Sequence, residues 1–362
     1  MPEKMPEKIP EKMPEKNLKN KVIIFGSGAW GTAIAHLVAR NNNDKEVVII
    51  ARNQAVIDDI NNRHCNKKYL QDIKLPNNII AKQNLENIDL AECEFLFIVT
   101  PAKEFSKIIA NISNYKIPKN LSIVICAKGV DGYISKFFNE IVSDLLPNSS
   151  VAIMAGPNFA NEVAKRNFST TTISSKSLES FNRLSALINA NDFRCEYFDN
   201  PTNVEICGIF KNIIAIACGI CDGMNFGENF KASIVSQGLK EIKSLCKIIT
   251  NSSDLPIYAG FGDIFLTCSS KTSRNYLLGF EIAKKPLEFS FFSEQAKTRF
   301  DKHCEGANSA IRISEIIAKI NKNIDNNKDE FTIANIVRLI VENKIPNQDF
   351  KYYFEKIILT SS

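Results

Sequence analysis

Short apolar runs alternate with amphipathic stretches through the first two hundred residues. Val22–Phe25, Val47–Ile50, Glu94–Val99, Leu121–Ala127, Val151–Met154, Thr170–Ser174 and Phe193–Phe198 have the length and β-branched or aromatic content of buried strands. Thr32–Arg40 and Leu178–Asn189 carry helical patterns between them. Strands alternating with helices predict a mostly parallel sheet covered on both faces. The loops at Gly26, Arg52, Thr100, Lys128 and Gly156 each follow such a strand and should open into one crevice at the carboxyl ends. The texture changes after Asn200-Pro201, where helical periods replace strand signals to the end of the chain.

The first strand runs into Gly26-Ser-Gly28-Ala-Trp30-Gly31, and a helix starts at once. Gly26 permits a tight turn, Gly28 lets a pyrophosphate approach the backbone, and Gly31 lets the helix pack against the strand. The free N–H groups and positive end of that helix suit phosphates. NAD or NADP is therefore the expected cofactor. The fold class is α/β, with an N-terminal Rossmann-like doubly wound domain over residues 18–201 and an all-α C-terminal domain over residues 202–362. The second strand ends in Ala51-Arg52-Asn53, where such a unit meets the adenosine ribose. An acidic residue there would repel a 2′-phosphate, whereas Arg52 can pair with one or stack on adenine. Alternatively, Arg52 is a solvated strand-end residue.

The bulk numbers are those of an ordinary globular protein. A length of 362 residues is enough for two cores. The net charge of +5 is spread along the chain, so it forms no nucleic-acid stripe. No apolar run looks long enough to span a membrane, and Ile213–Cys221 reads as part of a buried helix. Residues 1–17 are dominated by MPEK, MPEK, IPEK, MPEK, and proline in each unit blocks helix; this is read as a disordered repeat tail without an apolar signal region. Ten cysteines, mostly in apolar contexts, are the habit of a reducing cytoplasm. Cys218 and Cys221 form one Cys-x-x-Cys with no second pair and no histidine nearby, and His36, His64 and His303 lie far apart. No metal site is expected.

Several charged residues stand where charge is costly. Lys211 and Asn212 interrupt the almost wholly apolar stretch Glu205–Ala217. A desolvated lysine has a lowered pKa and can exchange a proton near neutrality, although a lysine can also snorkel to a helix surface. Asp263, in a loop-like glycine-rich segment, could pair with that lysine or cap a helix. Ser273, Arg274 and Asn275 precede a helical stretch, Tyr276–Lys284. Capping hydroxyls with a forked guanidinium make an anion site. Lys128-Gly129, Gly156-Pro157-Asn158-Phe159-Ala160 and Glu305-Gly306 read equally well as turn residues.

Together these segments resemble the NAD(P)-dependent glycerol-3-phosphate dehydrogenases of the bacterial type. The matching pieces are Gly26-x-Gly28-x-Trp30-Gly31-Thr32-Ala33, Ala127-Lys128-Gly129, Ala155-Gly156-Pro157-x-Phe159-Ala160 and Glu205-Ile-Cys-Gly-x-x-Lys211-Asn212. They continue with Gly260-x-Gly262-Asp263-x-x-Leu266-Thr267-Cys268-Ser269-Ser270, Ser273-Arg274-Asn275 and Glu305-Gly306. The resemblance covers nearly the whole chain beyond the tail. It implies reversible hydride transfer between NAD(P)H and dihydroxyacetone phosphate, giving sn-glycerol 3-phosphate for glycerophospholipids. It also implies Lys211 as the proton donor and acceptor. Lys128, Gly156, Asn158, Lys211, Asp263, Ser273, Arg274 and Asn275 fall at substrate positions. Gly26, Gly28, Trp30, Gly31, Arg52, Lys128, Ala160, Arg274 and Glu305 fall at cofactor positions. A homodimer is the common assembly of such enzymes. Ala29 stands where the family usually has Ser, Asn158 where it has Ser or Thr, and His303 where it has a small apolar residue. A two-domain 3-hydroxyacid or 6-phosphogluconate-type dehydrogenase is the alternative, against which Ser273-Arg274-Asn275 argues.

Overall fold

The computed structural model describes residues 20–86, 88–129, 136–284, 305–324 and 333–360. The repeat tail at 1–17 and His303 lie outside them. Eight strands form one sheet: β1 (Lys21–Phe25), β2 (Glu46–Ile50), β3 (Ile79–Lys82), β4 (Cys93–Ile98), β5 (Ser122–Ile125), β6 (Ser150–Ala155), β7 (Ser169–Ser174) and β8 (Phe193–Phe198). Their order is β3-β2-β1-β4-β5-β6-β7-β8, and every pairing is parallel except β6 with β7. Helices α1 (Ala29–Asn41), α2 (Gln54–Arg63), α3 (Phe105–Ile112), α4 (Phe138–Leu145), α5 (Ala160–Ala164) and α6 (Leu178–Ile188) fill the connections.

Side-chain alternation divides the sheet between two cores. Val22 and Ile24 pack on one face with Ile34, Leu37 and Leu184 from α1 and α6. Ile23 and Phe25 pack on the other with Phe105, Ile109 and Phe138 from α3 and α4. Residues two apart share a strand face, which is why an unbroken apolar run marks a strand covered on both sides. Strand order turns outward from β1 in both directions, so the crevice opens where β1 meets β4.

After β8 all described elements are helical. Helix α7 (Pro201–Gly223) runs through the centre of a third core, packed by α8 (Glu228–Thr250), α9 (Asp263–Ser269), α10 (Arg274–Lys284), α11 (Glu305–Ile324), α12 (Ile333–Val341) and α13 (Phe350–Thr360). The expectation that no apolar run approaches membrane length needs correction. By length and composition α7, at 23 residues, could cross one. Its most apolar stretch is nevertheless wholly buried in protein. Cys218 and Cys221 are core residues of this helix. Where α10 crosses α7, a Cβ on Gly219 would collide with the Tyr276 carbonyl, and one on Gly279 with the Ile216 carbonyl. Bare glycine at both points brings the two backbones into contact, and this sets where the start of α10 lies.

Candidate active site

The carboxyl ends of β1, β2, β4, β5 and β6 share one edge of the sheet. Gly26 takes φ +117°, and a Cβ there would strike the Val99 carbonyl. Gly28 caps α1 with no side-chain hydrogen bond, and a Cβ on it would meet nothing within 4 Å. The first turn of α1 carries no acidic residue. An open cradle before bare helix N–H groups fits a pyrophosphate. Two more polar atoms at strand ends, Thr100 Oγ1 and Asn158 Oδ1, are buried without a protein partner. Trp30 and Ala160 pack against the core beneath this edge. The Arg52 side chain stands 81% exposed at the end of β2, its Nη1 3.8 Å from Glu104. It is therefore available to a ligand.

On the facing side, Lys211 projects from the middle of α7 and is buried to 6% exposure, and Asp263, the first residue of α9, to 2%. Lys211 Nζ donates to Asp263 Oδ1 at 2.6 Å, and Lys128 Nζ, from the loop after β5, donates to Asp263 Oδ2 at 2.8 Å. One carboxylate thus bridges two lysines contributed by the two halves of the chain. Asp263 does not lie in a loop, as its glycine-rich surroundings predict. A six-residue π-helical turn (Ile257–Gly262) leads directly into α9. That turn seats against the β6 end, because a Cβ on Gly262 would come within 3.3 Å of Pro157. Asn158 Nδ2 holds the Thr170 carbonyl at 2.8 Å and fixes the Gly156–Asn158 turn beside it.

The start of α10 completes this side. Ser273 Oγ accepts from the Tyr276 N–H at 3.4 Å, so the helix begins at Arg274, two residues before the start predicted from the sequence. Asn275 Oδ1 accepts from the Gly306 N–H at 3.0 Å. Glu305 and Gly306 form the first turn of α11, correcting their reading as a loop. Arg274, Lys128 and Lys211 all act electrostatically on Glu305.

The electrostatics follow from burial and pairing. Burial pulls the Lys211 ammonium down, Asp263 pulls it up and Lys128 pulls it down again, leaving it lowered to about 8. Burial also opposes charge on Lys128, but Asp263 outweighs it and holds Lys128 above the ordinary lysine range. Burial would raise the Asp263 carboxyl, yet the two lysines hold it below its usual range. Burial raises Glu305 against the pull of Arg274 and the lysines. Among the described residues here three cations accompany two carboxylates, and that surplus suits an anionic substrate.

Two residues quoted above without a role make contacts around this site. Thr267 sits one turn after Asp263 on α9, and its hydroxyl reaches the Asp263 carbonyl at 2.6 Å. The i, i+4 spacing would have revealed it had a helix been expected there. Glu205, quoted only as part of a motif, accepts from the Phe138 and Asn139 N–H groups, both at 2.8 Å. It thereby ties α7 to the start of α4.

A dinucleotide-type sheet edge facing a buried lysine–carboxylate pair defines a nicotinamide-dependent dehydrogenase. Comparison with known proteins narrows this. Residues 21–181 match the family model for the N-terminus of NAD-dependent glycerol-3-phosphate dehydrogenase, and residues 200–351 match that for its C-terminus. The chain belongs to this family. It is 38% identical over 265 residues to an NAD(P)+-dependent glycerol-3-phosphate dehydrogenase of Orientia tsutsugamushi, covering 73% of this chain and 79% of that protein. A counterpart from Erythrobacter litoralis is 35% identical, with 72% and 76% covered. The solved glycerol-3-phosphate dehydrogenase of Plasmodium falciparum superposes with a TM-score of 0.83 at 26% identity, covering 92% of this chain and 94% of that one.

Proposed function

We propose that this chain interconverts dihydroxyacetone phosphate and sn-glycerol 3-phosphate with NAD(P)H or NAD(P)+, Lys211 serving as proton donor in reduction and acceptor in oxidation. The observation that carries the reading is the Lys211–Asp263–Lys128 bridge, whose Lys128 follows β5 on the same sheet edge as the glycine turn. A bound reduced nicotinamide supplies the hydride. As negative charge grows on the ketone oxygen, the Lys211 ammonium stabilises it and transfers a proton, so hydride plus proton convert the ketone to a secondary alcohol. A lysine lowered to about 8 serves both directions near neutral pH. Asp263 holds that ammonium in place, and Lys128 holds the other Asp263 oxygen. Ser273, Arg274 and Asn275 at the start of α10 receive the phosphate, while Gly156 and Asn158 border the triose. Gly26, Gly28, Trp30, Gly31, Arg52, Ala160 and Glu305, with Lys128 and Arg274, border the dinucleotide. The product supplies glycerophospholipid synthesis, the usual role of the family.

The nine described cysteines are all free, which supports a cytoplasmic setting. The family resemblance supports a homodimer, which light scattering on the purified protein tests. The deciding assay follows NADH and NADPH oxidation, in parallel, with dihydroxyacetone phosphate. Turnover with that substrate is expected. Turnover with oxo acids and none with dihydroxyacetone phosphate would reject the reading in favour of a hydroxyacid dehydrogenase.

A further inference from the structure

Asn66 belongs to no motif, yet it is completely buried. It lies between α2 and β3 in a segment stapled locally. Its carbonyl accepts from the Tyr69 and Leu70 N–H groups at 3.1 and 2.8 Å, and the Lys67 N–H donates to Asp59 at 3.2 Å. The side chain points away from this staple, toward the glycine turn. Asn66 Nδ2 donates to the Ser27 carbonyl at 2.9 Å and to Thr32 Oγ1 at 2.8 Å. The Thr32 hydroxyl, also completely buried, donates in turn to the Ser27 carbonyl at 3.3 Å. Asn66 Oδ1 is buried with no partner. A buried amide is thus placed for its donors alone, one acting on the turn before α1 and the other on Thr32 in the first turn of α1.

The Ser27 carbonyl and the Gly28 N–H belong to one trans peptide and point in opposite directions. Holding that carbonyl inward with two donors turns the Gly28 N–H the other way, away from Asn66, at a residue whose own Cβ position is open to 4 Å. We propose that Asn66 is a positioning residue for the dinucleotide: its amide presets the Ser27–Gly28 peptide and the first turn of α1 to receive the pyrophosphate. The inference rests on the proposed use of NAD(P)(H). It assigns to the segment after α2 a task that the glycine motif cannot perform by itself, since glycine permits the turn without enforcing it.

The test is calorimetric titration of the purified full chain with NADH, alongside thermal melting and steady-state kinetics. Asn66→Ala should weaken NADH binding about five- to tenfold, the effect of losing a buried bidentate donor. Asn66→Asp, which sets a carboxylate oxygen against the Ser27 carbonyl, should weaken it further. At saturating NADH, kcat and the KM for dihydroxyacetone phosphate should stay within about twofold of wild type. The control is Asn78→Ala. Asn78 Nδ2 bonds the Ala39, Asn42 and Lys45 carbonyls at 3.2, 3.0 and 2.9 Å, away from the turn. That variant should melt lower yet bind NADH as wild type does. Unchanged NADH affinity in Asn66→Ala, or equal weakening in Asn78→Ala, would overturn the proposal. If Asn66→Ala fails to fold, Thr32→Val carries the test. A weakening of about two- to fivefold supports the inference and no change rejects it. A wild-type chain that binds neither NADH nor NADPH would instead sink the functional reading, and one that binds NADPH alone is titrated with NADPH throughout.

Discussion

Substituting Asp263 by Asn removes a negative charge that touches both lysines while preserving the side chain's shape. In the wild type Asp263 raises Lys211 against burial and against Lys128. Without it, burial and Lys128, the largest influences left, push Lys211 down. An opposite charge at hydrogen-bond distance, here 2.6 Å, shifts a pKa by about one to three pH units. At pH 7 a lysine titrating at about 8 is about nine-tenths protonated, and one titrating two units lower is about one-tenth protonated. Reduction needs the protonated amine, so kcat/KM with dihydroxyacetone phosphate should fall about tenfold at pH 7 from this cause alone. The loss should largely recover near pH 5. Oxidation of glycerol 3-phosphate needs the free amine, so its rising limb should move to lower pH in parallel. The assay is a kcat/KM profile in both directions for wild type and Asp263→Asn. A uniform drop with unmoved limbs, or limbs displaced upward, would refute the electrostatic reasoning.

Three further outcomes follow from particular contacts. Arg52→Asp should weaken NADPH binding by about tenfold or more and leave NADH binding little changed; equal effects on both would return Arg52 to the role of a solvated strand-end residue. Gly306→Ala sets a Cβ 2.7 Å from the Asn212 carbonyl and 2.8 Å from Asn275 Oδ1. It should destabilise by about 1–3 kcal/mol in denaturant titrations and reduce kcat/KM, because Asn275 must shift. Glu205→Ala strands the Phe138 and Asn139 N–H groups, both buried, and should lower stability by about 2–3 kcal/mol. A wild-type denaturation midpoint would show that these bonds contribute nothing net.

The strands around the crevice were legible because each is covered on both faces and therefore reads as an unbroken apolar run. β3 (Ile79–Lys82) was missed for the opposite reason. It is a four-residue edge strand with buried and half-buried positions alternating, and a polar segment precedes it. The antiparallel entry of β7 was also hidden, since direction within a sheet leaves little trace in composition. Lys211 stood out because a charge inside an apolar helix demands a partner, and Asp263 was the nearest plausible one. Its helical setting was obscured by Gly260 and Gly262, which read as loop but form a π-helical turn. Glu305 and Gly306 were misread in the same way: a glycine at a helix's first turn looks like an interruption until the packing against Asn212 and Asn275 is seen. Asn66 left no local signal, because its partners lie 39 and 34 residues away in the chain.

If Lys211 carries the proton, Lys211→Ala separates cofactor binding from chemistry. Titration should find NADH bound within about twofold of the wild-type affinity, because Lys211 lies on α7 and is no part of the glycine turn. Turnover of dihydroxyacetone phosphate should fall by about a hundred- to ten-thousandfold, the usual contribution of a positioned general acid. Normal NADH binding together with wild-type turnover would contradict the account.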